Sequence, residues 1–190
     1  MPDGPGWYWG VTIRVDDADE LLEQLAGLVT EPGVHVQRPG TAHVTLLYAP
    51  PRTAADCGAM AACAERIAGR AAPFQLRLGG IGVFPPPPRT VAWLGIYDGA
   101  EMLHAIRGDL CSADVDVLPY GWVPHCTLLY ADNLQAWANV RDAVERAVHG
   151  ISLTVDVDAL WVAGFPVGAH PADDLAYQVR VPLASSPLTS

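Results

Sequence analysis

The chain has 190 residues, of which 51% are hydrophobic and 17% charged, a composition typical of a folded globular protein and unlike that of a disordered one. Its formal net charge of −10 argues against a broad binding surface for extended nucleic acid, which needs clustered Lys and Arg. A small anionic ligand in a locally basic pocket is compatible with this charge.

The first half of the sequence predicts two strand–helix units followed by a hairpin. "YWGVTIRVD" alternates apolar and polar residues as a half-buried strand does, and "DDADELLEQLAGLV" has leucines at helical spacing. "VHVQRPGTAHVTLLYAP" predicts a loop and then a strand that begins near Ala42, and the Ala-rich "TAADCGAMAACAERIAGRA" predicts a second helix. "FQLRLGGIGVF" and "RTVAWLGIY" are predicted strands on either side of four prolines, Pro85 to Pro88.

The second half predicts a similar unit. "GAEMLHAIRGDLCS" is a predicted helix, "GWVPHCTLLYADN" a loop and strand, and "LQAWANVRDAVERAVHG" a helix that ends at Gly150. "ISLTVDVDALWVAGF" is predicted as one strand and "LAYQVRVPL" as the last, with the surface loop "FPVGAHPADD" between them as a candidate flap. We predict a single domain over residues 1–182 and a flexible tail over 183–190.

No targeting or membrane segment is evident in the sequence. The start, "MPDGPGWYWG", lacks the basic and apolar regions of a secretory signal, and no apolar run is long enough to span a bilayer. We therefore expect a cytoplasmic protein. The four cysteines show no C-x-x-C spacing, which predicts buried thiols and neither a zinc site nor a disulfide: Cys57, Cys63, Cys111 and Cys126.

An octet recurs in the two halves. "HVTLLYAP" begins at His43 and "HCTLLYAD" begins at His125, and six of their eight positions are identical. Two similar α/β units in one chain usually pack about a pseudo-two-fold axis, which would bring the octets face to face. We therefore predict a bilobal α/β (α+β) fold, in which each lobe has an antiparallel sheet with helices packed outside and a cleft lies between the lobes.

The polar residues of each octet indicate a catalytic cleft. In a strand, residues two apart share a face, so His43 and Thr45 project together, as do His125 and Thr127, while Tyr48 and Tyr130 are expected on the opposite face.

Two imidazoles and two hydroxyls around one cleft suit reactions at phosphorus. A neutral imidazole takes a proton from the attacking group, a protonated one gives a proton to the leaving oxygen, and hydroxyls bond the non-bridging oxygens. This chemistry requires no metal and no cofactor, and no carboxylate stands beside each histidine as in a metal site.

The motifs "HVTL" and "HCTL", with "VFPPPPRTVAWLGI" between them, resemble those of the two-histidine (2H) phosphoesterases, in particular the bacterial 2′-5′ RNA ligase-like branch. The resemblance implies metal-independent opening of 2′,3′-cyclic phosphates, hydrolysis of related cyclic nucleotides, or reversible 2′-5′ RNA joining. It implies that His43 and His125 are the acid–base pair and that Thr45 and Thr127 hold the phosphate. In relatives the second histidine is often the base and the first the acid.

Several further side chains are candidates for substrate contact. Arg89 follows the proline turn, where its guanidinium would hold a second phosphate or simply face solvent. Arg38 and Arg14 are weaker candidates because an arginine is by default a surface residue. Four aromatic residues either stack on a base or pack in the core: Tyr48, Trp93, Tyr130 and Trp161. The remaining histidines show no pairing pattern and are interpreted as incidental: His35, His104, His149 and His170.

The late strand "VDVDALWVAGF" has Val162, Ala163 and Gly164 where many relatives have a polar or basic residue. Together with the acidic net charge, this favours a small nucleotide, an RNA end or another cyclic phosphodiester over an extended RNA. We expect a monomer without membrane association. Two alternatives remain open: a module that binds nucleotides or RNA without turnover, and a pathway-specific enzyme on the same scaffold.

Overall fold

A computed structural model describes residues 6–50, 53–86, 88–111 and 121–184. Its strands are β1 Trp7–Arg14, β2 Val34–Val36, β3 His43–Tyr48, β4 Phe74–Phe84, β5 Thr90–Asp98, β6 His125–Ala131, β7 Ser152–Val157, β8 Ala159–Pro166 and β9 Ala176–Pro182. Its helices are α1 Asp19–Leu28, α2 Cys57–Ala68, α3 Ala100–Cys111, α4 Leu134–Val148 and α5 Pro171–Asp174. Short 3₁₀ turns, Asp16–Ala18 and Ala54–Asp56, precede α1 and α2.

The strands form one antiparallel sheet in the order β7-β4-β5-β6-β3-β1-β8-β9, and β2 pairs with β6 off this path. The two halves of the sheet meet at β3 and β6, where Val44 pairs with Cys126. The units β1-α1-β3-α2 and β5-α3-β6-α4 repeat the same order of elements. The predicted mixed α/β fold is confirmed, and the sheets predicted for the two lobes are joined through β3 and β6 into one continuous antiparallel sheet.

One face of the sheet packs against the helices in a shared core. Alternate residues of the first strand are buried as their periodicity predicts: Trp9, Val11, Ile13 and Val15. The leucines of α1 that face this core are Leu21, Leu22 and Leu25, whereas Leu28, at the end of the helix, is 52% exposed. The opposite face of the sheet carries the octet histidines.

The stretch "ISLTVDVDALWVAGF" is two strands, so the prediction of a single strand is wrong. β7 pairs with β4 and β8 pairs with β1, which lie in different halves of the sheet. β7 alternates in hydrophobicity, whereas β8 is a continuous apolar run, and no glycine or proline separates the two strands. Asp158 lies between them, and its carbonyl oxygen accepts a hydrogen bond from the Leu183 N–H.

Each octet strand contains a β-bulge directly after its threonine. In β3, Thr45 pairs with Thr12 and Leu47 with Val11, which leaves Leu46 without a partner in β1. A bulge adds one residue and so reverses the alternation of the residues that follow. Tyr48 consequently lies on the same face as His43, and the prediction that it lies on the opposite face is wrong.

The bulge in β6 has the same position. Thr127 pairs with Trp93 and Leu129 with Ala92, and Leu128 is the extra residue. Tyr130 therefore also lies on the histidine face, against the prediction from strict alternation.

The carbonyl groups freed by the two bulges both have donors, as buried backbone groups require. The Leu46 carbonyl accepts a hydrogen bond from the Arg107 guanidinium, and the Leu128 carbonyl accepts one from the Gln37 N–H at 2.8 Å. The bulges are thus supported by groups outside the strands that contain them.

The end of the described chain packs on the core. Leu183 is 5% exposed, and the Ala184 N–H donates to the Ala68 and Ala71 carbonyls. Residues 185–190, most of the predicted tail, lie outside the described residues. Within the described ranges, no helix is long and apolar enough to cross a membrane.

Candidate active site

The four predicted catalytic side chains lie on adjacent strands. His43 and His125 are the first residues of β3 and β6. The antiparallel pairing of Val44 with Cys126 sets a register that places His43 beside Thr127 and Thr45 beside His125 on one sheet face. The fold therefore brings together the polar residues of the two octets.

The two imidazole rings make equivalent hydrogen bonds. The Nδ1 atom of His43 lies 2.8 Å from the Thr41 carbonyl oxygen, and that of His125 lies 2.7 Å from the Val123 carbonyl oxygen. Because a carbonyl oxygen only accepts, Nδ1 is the protonated nitrogen in both rings. Nε2 is then the nitrogen of each ring that is left for proton transfer.

Burial makes both histidines weak bases. His43 is 6% exposed, and burial lowers its pKa to about 4, with the Thr41 carbonyl acting in the opposite direction and nearby His125 lowering it further. Burial also lowers the pKa of His125, and the Val123 carbonyl partly offsets this. Both rings are neutral at pH 7, and an anionic ligand between them would favour protonation of one.

The threonine hydroxyls differ in their surroundings. Thr127 is 7% exposed, and its side chain is hydrogen-bonded to the hydroxyl of Tyr130, whose pKa burial raises to about 12. The Thr45 side chain is half-buried, and its backbone carbonyl accepts a hydrogen bond from the Trp122 indole at 2.9 Å. Both threonines are held in place by a neighbouring aromatic residue.

A cavity of about 320 Å³ opens beside His125 and Thr127. Its other side-chain walls are aromatic or aliphatic: Phe84, Val91, Trp122, Val123 and Tyr130. The rings of Phe84 and Trp93 flank the His125 imidazole, with centroid distances of 4.9 and 5.7 Å. An apolar cavity with a few convergent polar groups is typical of small-ligand sites.

The predicted substrate-binding residues lie at different distances from this cavity. The Arg89 guanidinium is 3.6 Å from the Asp132 carboxylate and is close enough to Tyr130 to influence its pKa. Arg38 donates from Nη2 to the Leu175 carbonyl, so it holds the segment before β9 and does not line the cavity.

Trp161 also lies outside the cavity. It shares a sheet face with Thr12, its partner in β1, and packs against Tyr177 with ring centroids 5.4 Å apart. The Arg14 guanidinium covers both rings, 5.6 Å from the Trp161 centroid and 5.2 Å from that of Tyr177. The two aromatic residues thus form a cluster outside this cavity, in the half of the sheet that contains β1 and β3, and the Tyr177 hydroxyl donates to the Ala42 carbonyl next to His43.

The sequence did not single out Phe84 and Trp122 as site residues. Both lie outside the repeated octet, Phe84 before the proline turn and Trp122 in "GWVPH". The sequence signals that could have identified them are that Phe84 directly precedes the prolines and that Trp122 lies close before His125.

Comparisons with known proteins identify the family and the fold. The sequence model described as the 2′-5′ RNA ligase superfamily matches residues 15–164. No curated protein sequence matches significantly.

Solved structures show the same fold at low identity. TT0787 of Thermus thermophilus has 17% identity and a TM-score of 0.64, with 93% of this chain and 97% of that one covered. LigT of E. coli, solved with 3′-AMP, has 17% identity and a TM-score of 0.60, with 94% and 98% covered. Usb1 of Kluyveromyces marxianus has 12% identity and a TM-score of 0.51, with 93% and 98% covered.

The sequence match extends over most of the chain and includes both octets, and the solved structures share its fold over nearly their whole length. The chain belongs to the 2′-5′ RNA ligase superfamily of two-histidine phosphoesterases.

Proposed function

We propose that the protein is a phosphodiesterase that opens a 2′,3′-cyclic phosphate, or a related small cyclic phosphodiester, with His43 and His125 as its acid–base pair. The observation that carries the proposal is the matched pair of Nδ1–carbonyl hydrogen bonds, which leaves both Nε2 atoms for proton transfer. Membership of the superfamily supports phosphoesterase activity in general. The LigT structures with 3′-AMP and ATP support a small nucleotide as ligand.

The unequal burial of the two histidines assigns their roles. His43, with a pKa of about 4, is neutral and takes a proton from a water molecule at Nε2. The water oxygen bonds to phosphorus, the bond from phosphorus to one ribose oxygen breaks, and His125 gives its Nε2 proton to that oxygen. The bound phosphate anion raises the pKa of His125, which is less buried than His43.

This assignment is the reverse of the split that the resemblance implies, in which the second histidine is the base. The physical reason is burial, which disfavours the charged form of His43 more than that of His125. In the reverse reaction the two histidines exchange roles, because the group that takes a proton in one direction gives it back in the other. With an RNA 5′-hydroxyl in place of water, His43 would take the hydroxyl proton, the 5′ oxygen would bond to phosphorus, and the bond from phosphorus to the 3′ oxygen would break. His125 would protonate that 3′ oxygen, and the product would be a 2′-5′ linkage.

The threonine hydroxyls stabilise the charge that develops at phosphorus. Thr45 and Thr127 lie on the same face as the imidazoles and donate to the two non-bridging oxygens. No step of this scheme uses a metal ion, because the histidines move the protons and the hydroxyls bind the anion.

The test is turnover of 2′,3′-cyclic AMP in the presence of a chelator by the wild type, His43→Ala and His125→Ala. We expect each variant to lose at least about 100-fold in kcat, as is typical for removal of a general acid or base. His149→Ala is the matched control, since His149 is an exposed histidine after α4. Undiminished turnover in either variant contradicts the proposal.

Further substrates define the reaction. ADP-ribose cyclic phosphate and short 2′-5′ linked oligonucleotides are assayed in parallel, and the position of the phosphate in each product is read by phosphorus NMR. Affinity for nucleotides without turnover of any of them would favour a binding module instead.

A further inference from the structure

Two histidines that are far apart in the sequence meet beside the cavity. His35 lies in β2 opposite Tyr130 of β6, and His170 directly precedes α5 in the segment between β8 and β9. Their ring centroids are 4.3 Å apart, and the His170 ring lies edge-on to that of Tyr130 at 5.2 Å. The segment 166–174, which lies within the loop "FPVGAHPADD" (165–174) predicted as a flap, therefore touches the cavity wall through His170.

Carboxylates flank this pair on both sides. The Asp173 carboxylate is 4.0 Å from Nδ1 of His170, and the Asp132 carboxylate is 3.8 Å from Nε2 of His35. One potential ligand atom from each of His35, His170 and Asp173 lies within 4.8 Å of the other two. Imidazole nitrogens and carboxylate oxygens are the donors that zinc-like ions bind in proteins.

One of these imidazoles has a buried nitrogen without a partner. Nδ1 of His170 accepts a hydrogen bond from the Ala172 N–H at 3.2 Å, whereas Nε2 is buried and has no hydrogen-bond partner. Because Nδ1 accepts, Nε2 carries the proton of the neutral ring. A metal ion would bind Nε2 in the other tautomer, in which the proton moves to Nδ1 and the hydrogen bond from the Ala172 N–H is given up.

We propose that His35, His170 and Asp173 form a binding site for a divalent transition-metal ion of the zinc class, with Asp132 in position to supply a fourth ligand. Two imidazoles in the set favour such an ion over calcium or magnesium, which prefer oxygen ligands. The Arg89 guanidinium lies 3.6 Å from the Asp132 carboxylate and would compete with the metal ion for it. Asp132 would therefore be the weakest of the four metal ligands.

Metal binding requires the ligand atoms to move closer together. Two ligand atoms bonded to one tetrahedral ion at about 2.1 Å are about 3.4 Å apart. The ligand atoms of His35, His170 and Asp173 lie within 4.8 Å of one another, so the site must contract by up to about 1.4 Å. The stacked imidazoles must also turn so that one nitrogen of each points to the ion.

The consequence is structural. A metal here would tie the segment 166–174 to β2 and would fix the ring against which Tyr130 packs. It would lie outside the pair of catalytic histidines and would take no part in proton transfer. The proposal therefore stands independently of the proposed function.

The test measures metal binding by the whole chain. Protein stripped with a chelator and dialysed is titrated with ZnCl2 by calorimetry, and with CoCl2 by visible absorption, which reports the coordination geometry. All variants carry Cys111→Ser, because this exposed thiol would compete for zinc. We expect one equivalent of metal to bind and the Tm to rise, and His35→Ala or His170→Ala to weaken binding at least 10-fold.

His149→Ala is the matched control, since it removes an exposed imidazole outside the cluster, and its affinity should equal that of the parent. Asp173→Asn tests the site with little change of shape if His170→Ala does not fold. Equal affinity in the parent and in the His35→Ala, His170→Ala double variant would overturn the proposal. So would metal binding that is lost in a His43→Ala, His125→Ala double variant and kept in His35→Ala.

Discussion

The indole N–H of Trp122 donates a hydrogen bond to the Thr45 carbonyl oxygen over 2.9 Å. Trp122 precedes the second octet, whereas Thr45 belongs to the first. The Arg107 guanidinium lies 4.9 Å from the Trp122 ring centroid and donates to the carbonyl of Leu46, the bulged residue. Groups from the second half of the chain thus hold the catalytic strand of the first half, and the two sets of catalytic residues depend on one another.

The Trp122–Thr45 hydrogen bond is tested by Trp122→Phe, which keeps an aromatic ring beside Arg107 but removes the indole N–H. We expect the free energy of unfolding to fall by about 1 kcal/mol, the usual net worth of one hydrogen bond. We also expect kcat to fall more than KM changes, because the Thr45 hydroxyl loses its support. Urea denaturation and steady-state kinetics measure the two effects.

The control for this variant is Tyr97→Phe, which removes an exposed hydrogen bond to the Ser152 hydroxyl. It should leave stability within about 0.5 kcal/mol of the wild type, as surface substitutions usually do. If Trp122→Phe and Tyr97→Phe changed the free energy of unfolding and kcat equally, the Trp122–Thr45 hydrogen bond would not support the site.

Burial of neutral His43 predicts that stability depends on pH. The pKa of histidine is about 6.5 in the unfolded chain and about 4 for His43 in the folded protein. Between these values the unfolded state binds a proton that the folded state does not, so the free energy of unfolding falls as the pH falls from about 6.5 to about 4. The full contribution of this one group is about 3 kcal/mol.

His43→Asn should flatten this dependence, while the exposed His149→Asn should leave it unchanged. Urea denaturation at several pH values between 4 and 7 gives the slopes. The slopes are compared because the substitution also changes the absolute stability. An unaltered slope in His43→Asn would mean that His43 is not the buried neutral group.

Much of the fold was predictable from local patterns. β4, Phe74–Phe84, coincides with the predicted strand because two period-2 segments flank a proline turn that ends the ladder. The pairing of the octet histidines was predictable because a repeated motif in two similar units implies a symmetry axis.

What could not be predicted depends on contacts between distant residues. The bulges at Leu46 and Leu128 have hydrogen-bond partners in other elements, Arg107 and Gln37, and no local signal in the octet marks them. Tyr130 was therefore assigned to the wrong face. His35 and His170 were interpreted as incidental because their contact arises only when β2 pairs with β6 and the segment after β8 folds back.

Because the Trp93 ring packs closely on Gly82, we predict that position 82 tolerates no side chain. A Cβ atom on Gly82 would lie 2.2 Å from ring carbons of Trp93, which also flanks His125. We expect Gly82→Ala to lower the free energy of unfolding by about 1 to 3 kcal/mol, the usual cost of overpacking. Gly108→Ala, in α3 with nothing within 4 Å of its Cβ position, should be neutral or stabilising by up to about 1 kcal/mol.

Thermal and urea denaturation compare the two glycine variants. If Gly82→Ala were as stable as Gly108→Ala, the Trp93 ring would not be fixed beside His125.

The pKa directions of the two histidines predict where the activity is greatest. The pH dependence of kcat/KM reports groups of the free enzyme. Activity should rise as His43 loses its proton near pH 4 and fall as His125 loses its proton at a pH below 6.5, since its pKa is lowered. We expect the maximum between about pH 4 and pH 6.5, and a maximum for kcat at higher pH because bound phosphate raises the pKa of His125. A maximum of kcat/KM above pH 7 would contradict the base and acid assignments.

The hydroxyl of Thr127 is predicted to act on the phosphate. Thr127→Val keeps the shape of the side chain but removes the hydroxyl, whereas Thr127→Ser keeps the hydroxyl. A hydrogen bond to a charged group is worth about 1.5 to 3 kcal/mol, so Thr127→Val should lose roughly 10- to 100-fold in kcat/KM. Thr127→Ser should retain most of the activity, because the serine hydroxyl reaches the same oxygen.

Tyr130→Phe separates this role from that of the neighbouring hydroxyl, which is hydrogen-bonded to Thr127. If Tyr130 only orients the Thr127 hydroxyl, its loss costs less than that of the hydroxyl itself, and the Thr127→Val, Tyr130→Phe double variant is no worse than Thr127→Val. Losses that multiply in the double variant would instead mean that each hydroxyl binds the substrate separately.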